Sequence, residues 1–388
     1  MKNQYIERDI SKVIREMYNY FPVITLNGPR QSGKTTLLRH LFNSLPYYSM
    51  ENLAVRDFAL NDPIAFLQQH AEGMILDEVQ HTPDLLSYIQ GLVDNDRGKR
   101  FILTGSSQFS VFKKISQSLA GRTAVLDLLP LSFNEVLKKA ASKSTDALLL
   151  DGFYPSIYSG ENKAEYYYPS YVRTYLDRDV RDLLQIKDMM QFHTFIRLCA
   201  GRIGSLFNFT ELAGEVGVSS NTIKSWLSVL QASYIIFLLP PFFENSRKRL
   251  TKTPKLYFCD TGLACNLLGI ENEQQLNRDK MRGPLFENFI VTEALKNRFN
   301  VGKQSNLYFY RDSNGNEVDL LLKQGDRFQC IEIKSAQTFH PGFYSGLRAL
   351  SSLLGDRISE KAVIYTGNFE NEAGEIKLMN YKRLNTLL

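Results

Sequence analysis

The chain has 388 residues, more than one ordinary hydrophobic core accommodates, so two or three domains are expected. A hydrophobic fraction of 44% with 22% charged residues excludes the disordered, collagen-like and low-complexity classes. The net charge of +5 permits a nucleic-acid partner without requiring one.

No apolar run of about eighteen residues marks a membrane helix, and the N-terminus Met1-Lys-Asn-Gln-Tyr-Ile-Glu lacks the apolar core of a secretion signal. Cys199, Cys259, Cys265 and Cys330 are widely spaced with no C-x-x-C pair, which argues against a disulfide frame or a zinc site. The expectation is a cytoplasmic protein with no membrane partner.

Residues 1 to 20 read as one amphipathic helix. An apolar strand, Phe21 to Leu26, then leads into Gly28-Pro29-Arg30-Gln31-Ser32-Gly33-Lys34-Thr35, which fits G-x-x-x-x-G-K-[ST], and a helical pattern starts near Lys34. Strand, glycine loop and helix in that order form a phosphate cradle. The glycines allow a tight turn that aims N–H groups inward, and the helix N-terminus adds its positive dipole end. Lys34 would reach the β- and γ-phosphates of ATP and the Thr35 hydroxyl would ligate Mg²⁺, while Ser32 and Thr36 line the turn. A second apolar run, Gly73 to Leu76, ends on Asp77 and Glu78. Adjacent acids at the end of a buried parallel strand suit the ligand edge of an open α/β sheet. Asp77 is the candidate second-shell Mg²⁺ ligand and Glu78 the candidate base that activates water. The third strand, Arg100 to Thr104, is followed by Gly105-Ser106-Ser107, so Thr104 or Ser106 could hold the lytic water or simply belong to a polar loop.

The stretches GPRQSGKTTLL, LDEVQ and LTGSSQ resemble the AAA-like branch of the P-loop ATPases. Within it they look like the archaeal-ATPase-like proteins that carry a further, uncharacterised C-terminal domain. The resemblance covers about the first third of the chain and implies ATP hydrolysis coupled to a conformational or assembly step. Leu119-Ala-Gly-Arg122 resembles that family's LxGR segment, which makes Arg122 a candidate for stabilising the γ-phosphate; a surface arginine closing a helix is the other reading. Asp151-Gly-Phe-Tyr-Pro155 resembles its GGFP segment and is assigned to a structural loop. The boundaries read as an ATPase domain over 1–145, a helical linker or lid over 146–190, a winged helix-turn-helix over 191–266 and a C-terminal domain over 267–388.

In the linker, Arg173, Arg178 and Arg181 could act on the ATP site of a second copy in a homo-oligomer, or pair with Asp177 and Asp182 on a solvated face. In the third segment, Phe209 to Val216 reads as a helix started by Thr210, Gly217 as the turn, and Ser219 as the cap of a second helix to Leu230. Tyr234 to Leu239 and Lys255 to Asp260 read as wing strands, with Arg247, Lys248, Arg249, Lys252 and Lys255 between or beside them at the wing tip. Such a tip suits DNA phosphates, and Asn221, Thr222 and Lys224 suit a major groove; a protein-binding module fits the same pattern.

The last domain carries Glu287 on a helix over 284–296, then Glu317-Val-Asp319 and Glu332-Ile-Lys334 on two strands joined by a turn at Gly325-Asp326. If Gln324 pairs with Arg327, Asp319 faces Glu332 across the ladder, an arrangement that requires a cation or a proton between them. Glu287, Asp319, Glu332 and Lys334 resemble the motif of the PD-(D/E)xK nuclease superfamily, with Val318 where proline is usual. That resemblance implies three carboxylates on Mg²⁺, with Asp319, Glu332 and Lys334 as the catalytic set. The whole reads as an α/β protein: a parallel-sheet AAA-like ATPase core, a helical and winged-helix middle, and a nuclease-like α/β end. Its nucleotide state would control the last domain on DNA; the alternative is an ATP-dependent switch whose last domain only binds a protein.

Overall fold

The computed structural model describes residues 5–96, 98–105, 118–176, 188–243, 253–372 and 374–388. The first unit is built on a parallel five-stranded sheet in the order β2-β3-β4-β1-β5, where β1 is Val23–Asn27, β2 Tyr47–Ser49, β3 Gly73–Asp77, β4 Arg100–Gly105 and β5 Thr123–Asp127. All five residues of β1 and all five of β3 are buried, as apolar strands covered on both faces must be. β4 lies between β1 and β3, pairing Leu26 with Thr104 and Leu76 with Leu103. This order places the ends of three strands side by side at one sheet edge, where the glycine loop begins.

Residues 1 to 20 do not form one helix, because the helix starts only at Ser11. The preceding segment is tied down by tertiary bonds. The buried Arg8 guanidinium donates to Ser32 O (2.7 Å), Leu129 O (2.7 Å) and Glu135 Oε2 (3.0 Å). Asp9 N donates to Glu135 Oε1 at 2.6 Å, and Glu135 also closes a capping box with Ser132 over helix Phe133–Ala140.

The segment expected to act as a linker is core. Leu148, Leu149, Phe153, Tyr154, Tyr167, Tyr168 and Tyr171 are buried in the largest apolar cluster, which also takes in Leu131 and Phe133 from the first unit and Phe286 and Phe289 from the last. Aromatic side chains at this density bury more surface than a lid hinge could leave exposed. Gly152 (φ 59°) allows the chain to cross here, since a Cβ would stand 2.0 Å from the Tyr168 hydroxyl. Asp260 holds the crossing, accepting from Phe153 N at 2.7 Å and from Leu263 N, the cap of helix Thr261–Leu268, at 2.9 Å. Asp260→Ala removes both acceptors from a residue only 2% exposed and is expected to destabilise the chain by about 2–4 kcal/mol. A urea titration against wild type checks this.

The middle comprises helices Met189–Ala200, Phe209–Val216 and Ser220–Ala232, followed by an antiparallel pair, β6 (Ile236–Leu239) and β7 (Lys255–Phe258). Gly217 (φ 78°) makes the turn and Ser219 caps the following helix, while Asn208 rather than Thr210 caps the preceding one. Arg178, Arg181, Ser106, Arg247, Lys248, Arg249 and Lys252 lie outside the described residues.

The last unit is a five-stranded mixed sheet in the order β12-β11-β10-β9-β8, comprising β8 Leu307–Arg311, β9 Glu317–Gln324, β10 Arg327–Lys334, β11 Ile358–Tyr365 and β12 Lys377–Asn380. The first three strands are antiparallel neighbours, and β10, β11 and β12 run parallel. Helix Arg282–Asn300 precedes β8, and helix Ser345–Leu354 lies between β10 and β11 in the chain. The turn at Gly325 (φ 62°) pairs Gln324 with Arg327, and the ladder runs on to Leu320 and Ile331. Phe242 N donates to Phe309 O at 2.7 Å and Phe309 N to Pro240 O at 3.1 Å, so the chain after β6 adds to the edge of this sheet.

Candidate nucleotide site and a carboxylate–lysine cluster

The glycine loop has the backbone that a phosphate cradle requires. Gly28 (φ 151°) lies so close to the neighbouring chain that a Cβ would stand 2.1 Å from Leu128 O, and Gly33 (φ 91°) is left-handed. Lys34 is buried and its Nζ donates to the loop's own carbonyls, Gly28 O at 2.9 Å and Pro29 O at 2.8 Å. Burial pulls its pKa below the ordinary lysine value, against the pull of Glu78 and Asp77. Thr35 Oγ1 donates to Asp77 Oδ2 at 2.8 Å. Asp77 also accepts from the Tyr47 hydroxyl at 2.6 Å and from Thr104 Oγ1. Thr104 in turn accepts from Glu78 N at 3.2 Å.

Glu78 is in the left-handed region (φ 56°, ψ 49°), a conformation that costs an ordinary residue energy and here turns its side chain out of the strand direction. The Gln80 amide donates to its carboxylate. The open cleft above, about 630 Å³, is lined by Arg30, Lys34, Thr35, Thr36 and Glu78 on one side and by Ser156 and Glu161 on the other. Arg30 stands with its guanidinium 5.3 Å from the Tyr175 ring centre. The donor set fits Mg²⁺ with polyphosphate: a threonine hydroxyl already touches a carboxylate, and the buried Ser32 Oγ inside the loop makes no hydrogen bond among the described residues.

Arg122 does not join this group. It immediately precedes β5 in a parallel sheet, so it stands at the N-terminal edge, about 20 Å of strand away from the loop. There it pairs with Asp94 through two bonds of 2.6 and 2.8 Å. Arg173 is exposed.

The second constellation lies at the start of β9 and the end of β10. Lys334 Nζ donates to Glu332 Oε1 at 2.6 Å and lies 3.8 Å from Asp319 Oδ2, which accepts Ile333 N at 2.8 Å. Glu332 Oε2 makes no hydrogen bond among the described residues. Burial, reinforced by Asp319, pushes the Glu332 carboxyl up to about 8, and burial raises Glu287 as well.

The cation expected among these acids is supplied by the chain itself. Lys255 was expected at an exposed wing tip, but it is 2% exposed. Its Nζ lies 3.0 Å from Glu287 Oε1, 2.5 Å from Glu317 Oε1 and 3.8 Å from Asp319 Oδ1. The Tyr257 hydroxyl also donates to Glu287 Oε1 at 2.5 Å. The residues therefore do not fit Mg²⁺ in this arrangement, and among the described residues no three His, Cys, Asp or Glu side chains are grouped to hold a metal. An ammonium occupies the space between the acids from which they would share one.

The family model for an AAA domain matches residues 20–137, and two domains of unknown function, DUF8612 and DUF4143, match 142–274 and 282–384. An uncharacterised protein of Mycobacterium tuberculosis is 31% identical over 369 residues, which is 93% of this chain and 80% of that protein. The chain belongs to this family of AAA-domain proteins. An uncharacterised protein of Methanocaldococcus jannaschii is 27% identical over 365 residues, 86% of this chain and 78% of its own length. Among solved structures, the Walker-type ATPase of Pyrococcus abyssi superposes with a TM-score of 0.44 at 14% identity, covering 69% of this chain and 97% of that one. AMPPCP-bound DnaA from Aquifex aeolicus gives 0.30 at 14% identity, with 58% and 89% covered. The family member's first unit is thus an AAA-type P-loop ATPase domain that binds ATP. No helix among the described residues is long and apolar enough to cross a membrane.

Arg8, Tyr47, Gln80, Glu317 and Lys255 belong to these sites and were not singled out for them from sequence. Gln80 follows Glu78 within LDEVQ and Glu317 opens the Glu-Val-Asp run, so both had a local signal.

Proposed function

We propose that the chain is an ATP-hydrolysing switch whose nucleotide site acts on its C-terminal domain. The observation that carries this reading is the contact set at one sheet edge: Thr35 on Asp77, Asp77 on Thr104, and Glu78 beside them on the cleft. Thr35 and Asp77 would hold Mg²⁺, which would supply charge neutralisation to the bound polyphosphate. Lys34, freed from the loop carbonyls, adds its charge to the same oxygens. Glu78 takes the proton of the attacking water once its carboxylate leaves Gln80.

A route to the last domain supports the switch. Arg8 ties Ser32 of the loop to Glu135, and the segment it closes is bonded to helix Arg282–Asn300. Glu293 Oε2 accepts Phe133 N at 2.6 Å, and Lys296 Nζ donates to Leu131 O at 2.8 Å. Glu287 stands on the same helix, in the carboxylate cluster. Phosphate release from ATP by wild type with Mg²⁺, and its absence in EDTA, tests the hydrolytic part.

The order of helix, three antiparallel strands, helix and parallel strand in the last unit, with Asp319, Glu332 and Lys334 together, favours a nuclease-type fold. Metal-dependent cleavage is not part of the proposal, since Lys255 stands among the acids. The helix–turn–helix elements with β6 and β7, and the exposed Asn221 and Lys224, support a winged helix that meets DNA. ATP turnover measured with and without duplex DNA decides that part; an unchanged rate favours the protein-binding switch.

A further inference from the structure

Lys255 belongs to the middle unit, yet its ammonium is spent entirely on the last one. It opens β7, where it pairs with Leu239 of β6 and forms a bridge with Leu206, so its backbone is fixed from both sides. From there Nζ reaches acids on two separate elements, Glu287 on helix Arg282–Asn300 and Glu317 and Asp319 on β9. Gly204 lies over the same spot, where a Cβ would stand 3.2 Å from Glu287 Oε1, so the backbone closes the cluster from the middle-unit side. Across the cluster, four carboxylates, Glu287, Glu317, Asp319 and Glu332, face Lys255, Lys334 and Arg311. An ammonium 2.5–3.0 Å from two of them excludes a divalent ion that needs the same oxygens at 2.0–2.6 Å, by space and by repulsion.

We propose that Lys255 is the resident cation of this cluster, and that the cluster takes no divalent metal while β7 is docked on the last domain. The middle unit then acts as a tethered plug, and metal entry requires β7 to leave. The proposal rests on the nuclease-type reading only in naming a divalent metal as the ion displaced; it does not depend on ATP hydrolysis.

The test uses the full chain without nucleotide, melted in EDTA or in saturating Mn²⁺. Any contribution of the glycine loop is common to all variants and cancels. The shift between the two buffers is expected to be the same in wild type as in Asp319→Asn. Lys255→Met, which keeps the length of the side chain and removes its charge, should melt lower in EDTA and regain about 5 °C or more in Mn²⁺. Lys255→Met combined with Asp319→Asn should lose that gain. A wild-type gain in Mn²⁺ that Asp319→Asn abolishes would overturn the proposal by showing metal beside the lysine, and no gain in Lys255→Met would overturn it equally. Should Lys255→Met fail to fold, equilibrium dialysis decides. Equal Mn²⁺ uptake by wild type and Asp319→Asn supports the plug, and excess uptake by wild type refutes it. Loss of phosphate release in Glu78→Gln is independent of all these outcomes.

Discussion

Glu78→Gln is expected to bind ATP with wild-type affinity and to release phosphate at least about 10²-fold more slowly, because a positioned general base contributes roughly 10²–10⁴-fold. The substitution keeps the size of the side chain and its ability to pair with Gln80, so the left-handed turn at Glu78 and the Asp77 network beside it should survive. Lys34→Ala is expected to fail one step earlier. Lys34 is the buried cation of the loop, and backbone amides supply hydrogen bonds but no net charge, so its loss should remove nucleotide affinity itself. Direct binding of labelled ATP to both variants, alongside phosphate release, separates the two. Wild-type turnover in Glu78→Gln would remove that residue from the chemistry.

Arg8→Ala should strongly destabilise the first unit. Arg8 and Glu135 are 4% and 0% exposed, and their pair at 3.0 Å is completed by two backbone carbonyls that only a planar guanidinium reaches together. Truncating one partner leaves Glu135 buried without its counter-charge, a loss of about 3–5 kcal/mol. Arg8→Lys should recover only part of it, since an ammonium lacks the fork geometry. Because Ser32 O is one of the acceptors, the folded fraction of Arg8→Lys should also bind ATP more weakly than wild type. Urea denaturation and ATP titration of the three proteins check both statements. Stability within about 0.5 kcal/mol of wild type for Arg8→Ala would mean the pair contributes no more than an exposed one.

What could be read from the chain alone was what depends on neighbours in sequence. The cradle at Gly28 to Thr35 is a local motif whose glycines, lysine and threonine each have a backbone or ligand reason to be there. The hairpin at Gly325-Asp326 announced its own register through turn chemistry, and the ladder from Arg327 and Gln324 follows it. What failed depended on how units dock. Lys255 sits beside a basic run and looked like part of it, but which domain a strand residue faces is fixed only when β7 meets helix Arg282–Asn300. Tyr167, Tyr168 and Tyr171 fall in the segment expected to be a helical linker or lid, although aromatic residues at this density argue for burial. Arg122 was misplaced for an avoidable reason: a residue just before a strand of a parallel sheet lies at the edge opposite the loops that bind ligand. Arg8 carried no local signal at all, since its partners lie 24 to 127 residues away.

The claim that nucleotide state reaches the last domain is tested most directly by backbone hydrogen exchange across helix Arg282–Asn300 and strands β9 and β10. The measurement uses Glu78→Gln with and without ATP and Mg²⁺, because this variant should hold the nucleotide without consuming it. The linkage from Ser32 through Arg8 and Glu135 to Phe133 and Glu293 predicts a change in protection along that helix when ATP binds. Lys34→Ala should show none. If ATP is bound and exchange from 282 to 334 is the same in both states, the nucleotide site does not act on the C-terminal domain.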